Sequence, residues 1–524
     1  MKFHIVSPTS PLAWRIVLPE EMRAADRRAI DLGLPGAALM ELAGYHLARI
    51  TAQGLRPGAR IAVCAGPGNN GGDGSVAARH LHGWGFEVHL LLCAPPARLQ
   101  GDAAAMWRAA CAAGIETHVL DSIIEFGEHA PSGPYDCIVD ALLGTGARGE
   151  IGATIAEAIR WISATARAEA TRVIAADIPS GVCGETGRLL GEAVRADATV
   201  TFVASKPGHW LCPTHTGTLH IVDIGMQSRA LEGIPLREVL SDQALARAFA
   251  PRPADLHKGQ AGHLLVLAGA PGRTGAARLC AEAALRAGVG LVSLALPAAA
   301  IPLLAPALCE VMYQEAFSDP DPTAAARHLA GEAHGRDALV LGPGMPTDAH
   351  AGATLRALLP QIQRPVVLDA DALNHLAADP EQLQVLENTV ITPHPGEAAR
   401  LLGTSTADVQ ADRFGAVAAL ARRTGAVAVL KGAHTLIATP DGRLWLCPAG
   451  NPGMASAGMG DVLAGIIGAL LARGHTPQEA ACAGVLWHAR AGDHACSAGS
   501  QNALIARDVI DALVEVQRRW PSLD

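Results

Sequence analysis

The sequence predicts two α/β domains in tandem, each built on a parallel sheet with helices on both faces. Three observations carry this. Apolar runs of strand length alternate with Ala-rich helical stretches. That rhythm fails once, across 227–256, where the chain reaches APRPADL and prolines oppose regular structure. Each half opens with a buried strand that runs directly into a glycine loop. At 524 residues the chain is also too long for a single ordinary core. Residues 1–226 therefore read as one domain, 227–254 as a linker and 255–524 as a second domain.

In the first domain, 60–64 reads as a buried strand, 74–83 as a helix and 86–93 as the next strand. Further strands are expected at 137–139, 172–176 and 197–202. The pattern restarts with a strand at 263–268, the loop GAPGRTG and a helix over 276–287. Strands at 338–341, 366–368, 390–391 and 426–430 follow. Asp441-Gly442, between LIATP and RLWLC, reads as a hairpin turn, and the chain is helical from Asp461 onward.

Composition narrows the function. Half the residues are hydrophobic and 17% are charged, as in a folded α/β protein. Aromatics are only 3%, too few for the stacking platforms of single-strand binders. A net charge of −9 without a long Lys/Arg run argues against a nucleic-acid surface. An anion site must therefore be built locally, since charges beyond roughly 8 Å are screened. The eleven cysteines never form C-x-x-C, so buried reduced thiols are expected rather than disulfides or zinc. No signal-like start and no apolar stretch of the ~20 residues a membrane helix needs are present. We expect a cytoplasmic protein with no membrane or nucleic-acid partner.

In AGPGNNGGDG, residues 65–74, Gly66, Gly68 and Gly71 satisfy G-x-G-x-x-G, the spacing of a dinucleotide loop. Such a fingerprint also wants an acid at the end of the second strand. Here that strand ends Leu91-Leu92-Cys93, and Glu87 falls near its start, so a redox role lacks its second element. Asn69, Asn70 and Asp73 remain, either helix caps or oxygen donors to a cation or a ribose. Asp140 in DALLGTGARGE, and Asp177 with Ser180 in DIPSGV, follow other strands. Ligands gather outside the carboxyl ends of strands in open α/β sheets, so the three loops are expected to converge.

GPGNNGGDG, VDALLGTG, DIPSG and MRAADRRAIDLGLPGAALMELAG together resemble the NAD(P)H-hydrate epimerase domain, over roughly residues 12–226. The resemblance implies a Rossmann-like three-layer fold. It implies a substrate that is a reduced nicotinamide dinucleotide damaged by water addition, whose R and S forms are interconverted. It places the substrate on Asn69, Asn70, Gly71, Gly72 and Asp73, with Gly144, Thr145, Gly146, Ala147, Arg148, Gly149 and Glu150. Asn70, Asp140 and Ser180 would bind potassium, and Asp177 would lie against the substrate and move the proton. Lys206 in SKPG matches a family position, whereas the HWLCPTHTG that follows departs from the pattern.

The most informative stretch of the second half is NPGMASAGMGDVLAGIIGALLARG, residues 451–474. Small residues lead into an apolar helix whose N-terminus offers unpaired amides to an anion, worth about 1 kcal/mol. Asp461 at that junction is a natural cap. A carboxylate beside a phosphate repels it, however, and makes chemical sense when it must take a proton from a hydroxyl attacking phosphorus. Other polar groups follow apolar strands: Gly342 and Gly344, Asp369 and Asp371 with Asn374, His394 and Glu397, and Lys431. A lysine there is poorly explained unless it meets an anion, while His394 between prolines reads equally as a turn residue or a ligand contact.

HKGQAGHLLVLAGAPGRTGAA, LGPG, LDADALN, TPHPGEAARLL, VLKGAHT and NPGMASAGMGD resemble the ribokinase-like superfamily. More narrowly they resemble the ADP-dependent NAD(P)H-hydrate dehydratase, over about 255–515. The resemblance implies phosphoryl transfer from ADP to the ring hydroxyl, then loss of phosphate to give NAD(P)H, AMP and phosphate. Ala276, Gly344, His394 and Asp461 would hold the hydrated dinucleotide. Lys431, Gly432, Ala433, His434, Thr435 and Gly460 would hold the nucleotide phosphates, with Asp461 as base and magnesium as counter-ion. Met459 stands where the family commonly has Thr, and Pro346 replaces a glycine after LGPG. The expectation is a bifunctional repair enzyme acting on small molecules as a homo-oligomer. Its rivals are a ribokinase-type small-molecule kinase, fused to a non-catalytic ligand-sensing or scaffold domain, and a redox enzyme. The kinase leaves a stable phosphoester and the redox enzyme oxidises NAD(P)H.

Overall fold

The computed structural model describes residues 2–5, 11–378 and 386–520. The chain divides into two compact units, one ending at Leu236 and the other beginning at Arg237. The stretch 227–254, expected as a linker, instead carries structure on both sides of that division. A 3-10 turn at Ser228–Leu231 buries Ala230 and Leu231 in the first core, and Val239, Leu240, Leu245 and Ala248 are buried in the second unit. Apolar residues spaced along the segment hold it down; Pro251 and Pro253 come only after them.

The first unit is an eight-stranded, wholly parallel sheet. Its strands are β1 (Phe3–Ile5), β2 (Arg60–Ala65), β3 (Glu87–Leu92), β4 (Glu116–Val119), β5 (Cys137–Ala141), β6 (Arg172–Ala176), β7 (Ala198–Phe202) and β8 (Thr218–Val222). Their order is β1-β8-β7-β6-β5-β2-β3-β4. Successive strand residues bury on opposite faces. Ile61, Val63 and Ala65 meet helices α1 (Pro19–Asp31), α2 (Gly36–Ala52) and α3 (Asn69–Gly83), whereas Ala62 and Cys64 meet α4 (Ala153–Glu169). The result is the three-layer arrangement expected. Strand order reverses at β2, between β3 and β5, and the loops after β2 and β5 part there.

The second unit holds a ten-stranded sheet: β9 (Arg237–Val239), β10 (His263–Leu267), β11 (Leu291–Leu296), β12 (Met312–Glu315), β13 (Ala338–Leu341), β14 (Val366–Leu368), β15 (Thr389–Ile391), β16 (Val427–Leu430), β17 (Leu436–Ala438) and β18 (Leu444–Leu446). The order is β12-β11-β10-β13-β14-β15-β16-β17-β18-β9, parallel from β12 to β16. Strands β16, β17 and β18 pair antiparallel, with the Asp441-Gly442 turn between the last two. Against the sheet pack α5 (Thr274–Arg286) and α8 (Met459–Ala472). Also in this unit are α6 (Pro395–Leu402), α7 (Arg413–Thr424) and α9 (Pro477–Ala498).

Helix α8 is the axis of this core. Of its fourteen residues only Gly460 and Asp461, in the first turn, are not buried. Two glycines let it approach its neighbours. A Cβ on Gly465 would lie 2.2 Å from the Cys280 carbonyl oxygen, and one on Gly468 would lie 2.3 Å from a Val340 methyl. Gly465→Ala is thus expected to overpack a backbone contact that cannot yield, costing about 1–3 kcal/mol. Faster hydrogen exchange of the α8 amides, read by mass spectrometry on peptides of the second unit, checks it.

Candidate active sites

In the first unit the loops after β2, β5, β6 and β7 surround a cavity of about 540 Å3. Asn69, Asn70, Asp73, Gly144, Thr145, Gly146, Ala147 and Asp177 line it, with Lys206 and, from α1, Asp26. Of the residues expected on substrate, Gly71 and Gly72 do not line it. A Cβ on Gly71 would strike the Gly66 carbonyl at 1.9 Å, and one on Gly72 would meet the Met40 sulfur at 2.6 Å. A Cβ on Gly66 would in turn strike the Leu142 carbonyl oxygen at 1.9 Å. Gly66 thus lets the loop after β5 approach, Gly71 closes the turn on itself and Gly72 makes room for α2; Gly68, with nothing within 4 Å, has the open side. Arg148, Gly149 and Glu150 also fall outside the lining, and Arg148 reaches Glu20 at 3.3 Å.

Asp177 is left-handed, φ +56°. Its backbone N–H donates to the Val200 carbonyl at 2.7 Å, and its own carbonyl accepts from His209 Nε2 at 2.7 Å. His209 Nδ1 accepts the Lys206 N–H at 3.0 Å, so Nε2 carries the proton. Burial, with the Lys206 cation, lowers His209 to about 4 and keeps it neutral. The Asp177 carboxylate accepts from Lys206 Nζ at 2.7 Å and from Thr201 Oγ1 at 2.9 Å. Burial alone would raise it, but the Lys206 charge and hydrogen bond outweigh burial and hold Asp177 below the usual carboxylate range. The other acids fare differently. Burial pushes Asp26 up to about 6, while burial and repulsion by Asp177 push Asp73 well above its ordinary value.

Beneath this floor Asp140 is wholly buried. It accepts from Ser180 N–H at 2.8 Å, Ser180 Oγ at 2.6 Å and Leu142 N–H at 3.2 Å. Neutral donors do not balance the charge, and burial raises it to about 6. The Asn70 amide is buried with neither end hydrogen-bonded among the described residues, and Gly144 keeps the space beside it open. An unbalanced carboxylate, an orphaned amide oxygen and a hydroxyl form a hard oxygen donor set, so Asn70, Asp140 and Ser180 fit an alkali cation. His89, Glu116 and His118 also lie within metal-ligand reach of one another. There the Arg60 guanidinium stands 3.5 Å from His89 Nε2 and supplies a fixed cation of its own.

In the second unit Gly342, Asp369, Thr392 and Lys431 each follow the last residue of β13, β14, β15 and β16, four neighbouring strands. Lys431 Nζ donates to Asp369 Oδ1 at 2.6 Å and lies 3.9 Å from Glu397. Burial would depress this ammonium; Asp369 and Glu397 outweigh it and raise it. A Cβ on Gly460 would lie 3.2 Å from Lys431 Nζ, so the first turn of α8 meets the lysine. Asp461 beside it is raised to about 7 by burial first and then by repulsion from Asp369, against the pull of Lys431.

His394 caps α6: its Nδ1 accepts the Gly396 N–H at 3.0 Å, and its Nε2 lies 3.3 Å from Glu397. The turn reading and the ligand reading thus coexist, because the half-exposed ring is tied through Glu397 to Lys431. The KGAHT loop is clasped by buried Arg413, which donates to the carbonyls of Ala433, Leu430 and Lys431. Gly432 (φ +138°) gives Arg413 room, His434 is turned to the Cys447 carbonyl at 3.3 Å, and Thr435 donates to the Gly432 carbonyl. Ala276 and Gly344 (φ +62°) are apposed, a Cβ on the glycine lying 3.0 Å from that of Ala276. Beside them a cavity of about 590 Å3 is lined by Arg273, Phe317, Pro346, Asp348 and His350; Asp461 is not in its wall. The two departures are accommodated: the Met459 side chain is buried, and the Pro346 carbonyl is bonded to His375 Nε2 at 2.9 Å.

Sequence reasoning missed Asp26, Thr201 and His209 in the first site, and the roles of Arg413 and of the Asp369–Lys431 pair in the second. Of these only Lys431 and the acids after β14 left a visible signal. All eleven cysteines are free, and burial raises Cys64 and Cys280 well above the usual thiol value. No helix among the described residues is long and apolar enough to cross a membrane.

Residues 264–514 match the family model described as NAD(P)H-hydrate dehydratase, and 36–208 match that of the YjeF-related protein N-terminus. The bifunctional NAD(P)H-hydrate repair enzyme of Moorella thermoacetica is 39% identical over 519 residues, covering 96% of each chain. That of Escherichia coli K12 is 38% identical, covering 95% of this chain and 93% of its own. The crystal structure of ADP/ATP-dependent NAD(P)H-hydrate dehydratase from Bacillus subtilis, co-crystallized with ATP/Mg2+, is 31% identical. It covers 52% of this chain and 94% of its own, with a TM-score of 0.46. With whole-length likeness at this level, the chain belongs to the family of bifunctional NAD(P)H-hydrate repair enzymes.

Proposed function

We propose that the first unit interconverts the R and S hydrates of NADH and NADPH, and that the second dehydrates the S hydrate at the expense of ADP. The observation that carries the chemistry of the second unit is one acid left only partly buried on an otherwise buried helix, next to a lysine at a strand end. Asp461 takes the proton of the ring hydroxyl while its oxygen attacks the terminal phosphorus of ADP, and AMP leaves. Loss of the new phosphate from the ring, with the neighbouring C–H proton, restores the C=C bond. Lys431, with the backbone of Gly432, Ala433, Thr435 and Gly460, receives the phosphates, and Arg413 fixes that loop. Asp371 is paired with Arg273 at 3.0 Å, but Asp369, Glu397 and Asp461 outnumber Lys431 around this point, a balance that suits a divalent cation. Magnesium bound there would neutralise phosphate charge.

In the first unit Asp177, kept anionic by Lys206, is the group that moves the proton. Asn70, Asp140 and Ser180 hold potassium, which would offset the Asp140 charge and brace the loop against the dinucleotide.

The test is return of reduced-nicotinamide absorbance from a mixture of both hydrates with ADP. Complete recovery requires both activities. Asp461→Asn is expected to abolish recovery while nucleotide binding, followed by calorimetry, persists. Asp177→Asn, which keeps a hydrogen-bond acceptor for Lys206, is expected to leave the R hydrate unrepaired. Because Asp461 is useful only when deprotonated, kcat/KM for the S hydrate should rise tenfold per pH unit below about 7 and level off above it. A flat profile from pH 5.5 to 8 would remove Asp461 as the base.

A further inference from the structure

Helix α1 precedes the residues matched by the N-terminal family model, yet it forms part of the cavity wall. Pro19, Met22, Arg23, Asp26 and Ile30 line the cavity, at spacings of three and four that mark a single helical face. The other acids near that face already have partners. Glu21 accepts the Leu18 N–H at 2.9 Å, and Glu20 lies 3.3 Å from Arg148. Among the described residues Asp26 makes no hydrogen bond or ion pair, although it faces the same space as Asp73, Asp102, Asp177, Lys206 and Arg23. Arg27 neighbours it on its own helix.

Building on the epimerase reading above, the chemistry asks for such a group. A reduced nicotinamide is an enamine, so water adds at the carbon bonded to the ring nitrogen. Inverting that carbon without oxidation means breaking its C–O bond and making it again on the other face. The departing hydroxyl needs a proton, and the returning water must lose one. Asp177 holds its charge through Lys206, so in the R-to-S direction it enters as the acceptor and not as the donor. Asp73 is buried in α3 where Asp26 is only partly so, and burial with repulsion from Asp177 raises it well above its ordinary value.

We propose that Asp26 is the general acid of epimerisation, protonating the ring hydroxyl as it leaves, with Asp177 taking the proton of the water that returns to the opposite face. As the C–O bond breaks, its electron pair departs with water and the nitrogen lone pair forms C=N. Water then adds to that carbon, the C=N pair returns to nitrogen, and solvent carries the proton from Asp177 back to Asp26. Nothing is oxidised or reduced.

The experiment follows R-to-S conversion chromatographically in the full-length chain without ADP, with the uncatalysed rate subtracted. Asp26→Asn should lower kcat by roughly a hundredfold or more with KM within about threefold. Asp26→Glu should regain part of the loss, and Asp26→Ala should be rescued by added formate, which a misfolded chain could not be. A kcat within threefold of wild type for Asp26→Asn, an effect on KM alone, or failure of both rescues overturns the assignment. Failure of the wild-type chain itself to convert the R hydrate overturns the epimerase reading instead.

Discussion

A carboxylate buried without a cation gives up its charge, and one bonded to a cation keeps it. Each unit places one lysine, buried at 206 and largely so at 431, among several acids at the carboxyl edge of a parallel sheet. Lys206 is 2.7 Å from Asp177, and Lys431 is 2.6 Å from Asp369. The bonded acid wins the lysine. The remaining acids, Asp26 and Asp73 in one site and Asp461 in the other, face a cation already engaged and hold their protons more tightly. Removing either lysine would leave a buried anion, at a cost of roughly 3–5 kcal/mol for a pair of this kind, and would erase the difference between acids. The division of labour between charged and protonated carboxylates therefore descends from two ion pairs.

Backbone geometry serves those pairs. Asp177 is held in the left-handed region by bonds from its N–H to β7 and from neutral His209 to its carbonyl. A strained residue persists where its surroundings over-determine it, and here they aim the carboxylate at Lys206. In the second unit the same end is reached differently. Glycine at 460 leaves the lysine room beside the helix, and Arg413 ties the loop after β16 from behind.

Much of this was legible in the residues. Strands buried on both faces announce themselves as continuous apolar runs, so β2, β5, β6, β13 and β14 were expected within a residue or two, with the acids that follow them. Edge strands were not: ETHV of β4 and MYQE of β12 bury little and carry no such run. The stretch 227–254 read as a bare linker because prolines at 251 and 253 are louder than the buried Val239, Leu240 and Leu245 before them. The glycines of G-x-G-x-x-G were visible, but their reason was not. Spacing cannot say whether a Cβ would strike a ligand or the next loop, and Gly66 and Gly71 strike loops. Asp26 was hidden because a helix acid with no partner looks in sequence like any solvated one.

The two sites also differ as their reactions differ. Epimerisation runs both ways through one planar ring, so whichever group protonates the hydroxyl in one direction must accept a proton in the other. Two carboxylates facing one space suit such an exchange, and Asp26 and Asp177 share one cavity. Dehydration runs downhill with the cleavage of ADP, and its first step asks only that a hydroxyl lose a proton beside phosphate. On the proposed reading one acid near neutrality at a helix start suffices, with a lysine for the charge that leaves. A reversible activity joined to an irreversible one needs no selectivity of its own. The second unit draws off the S hydrate, and the first restores the balance until no hydrate remains.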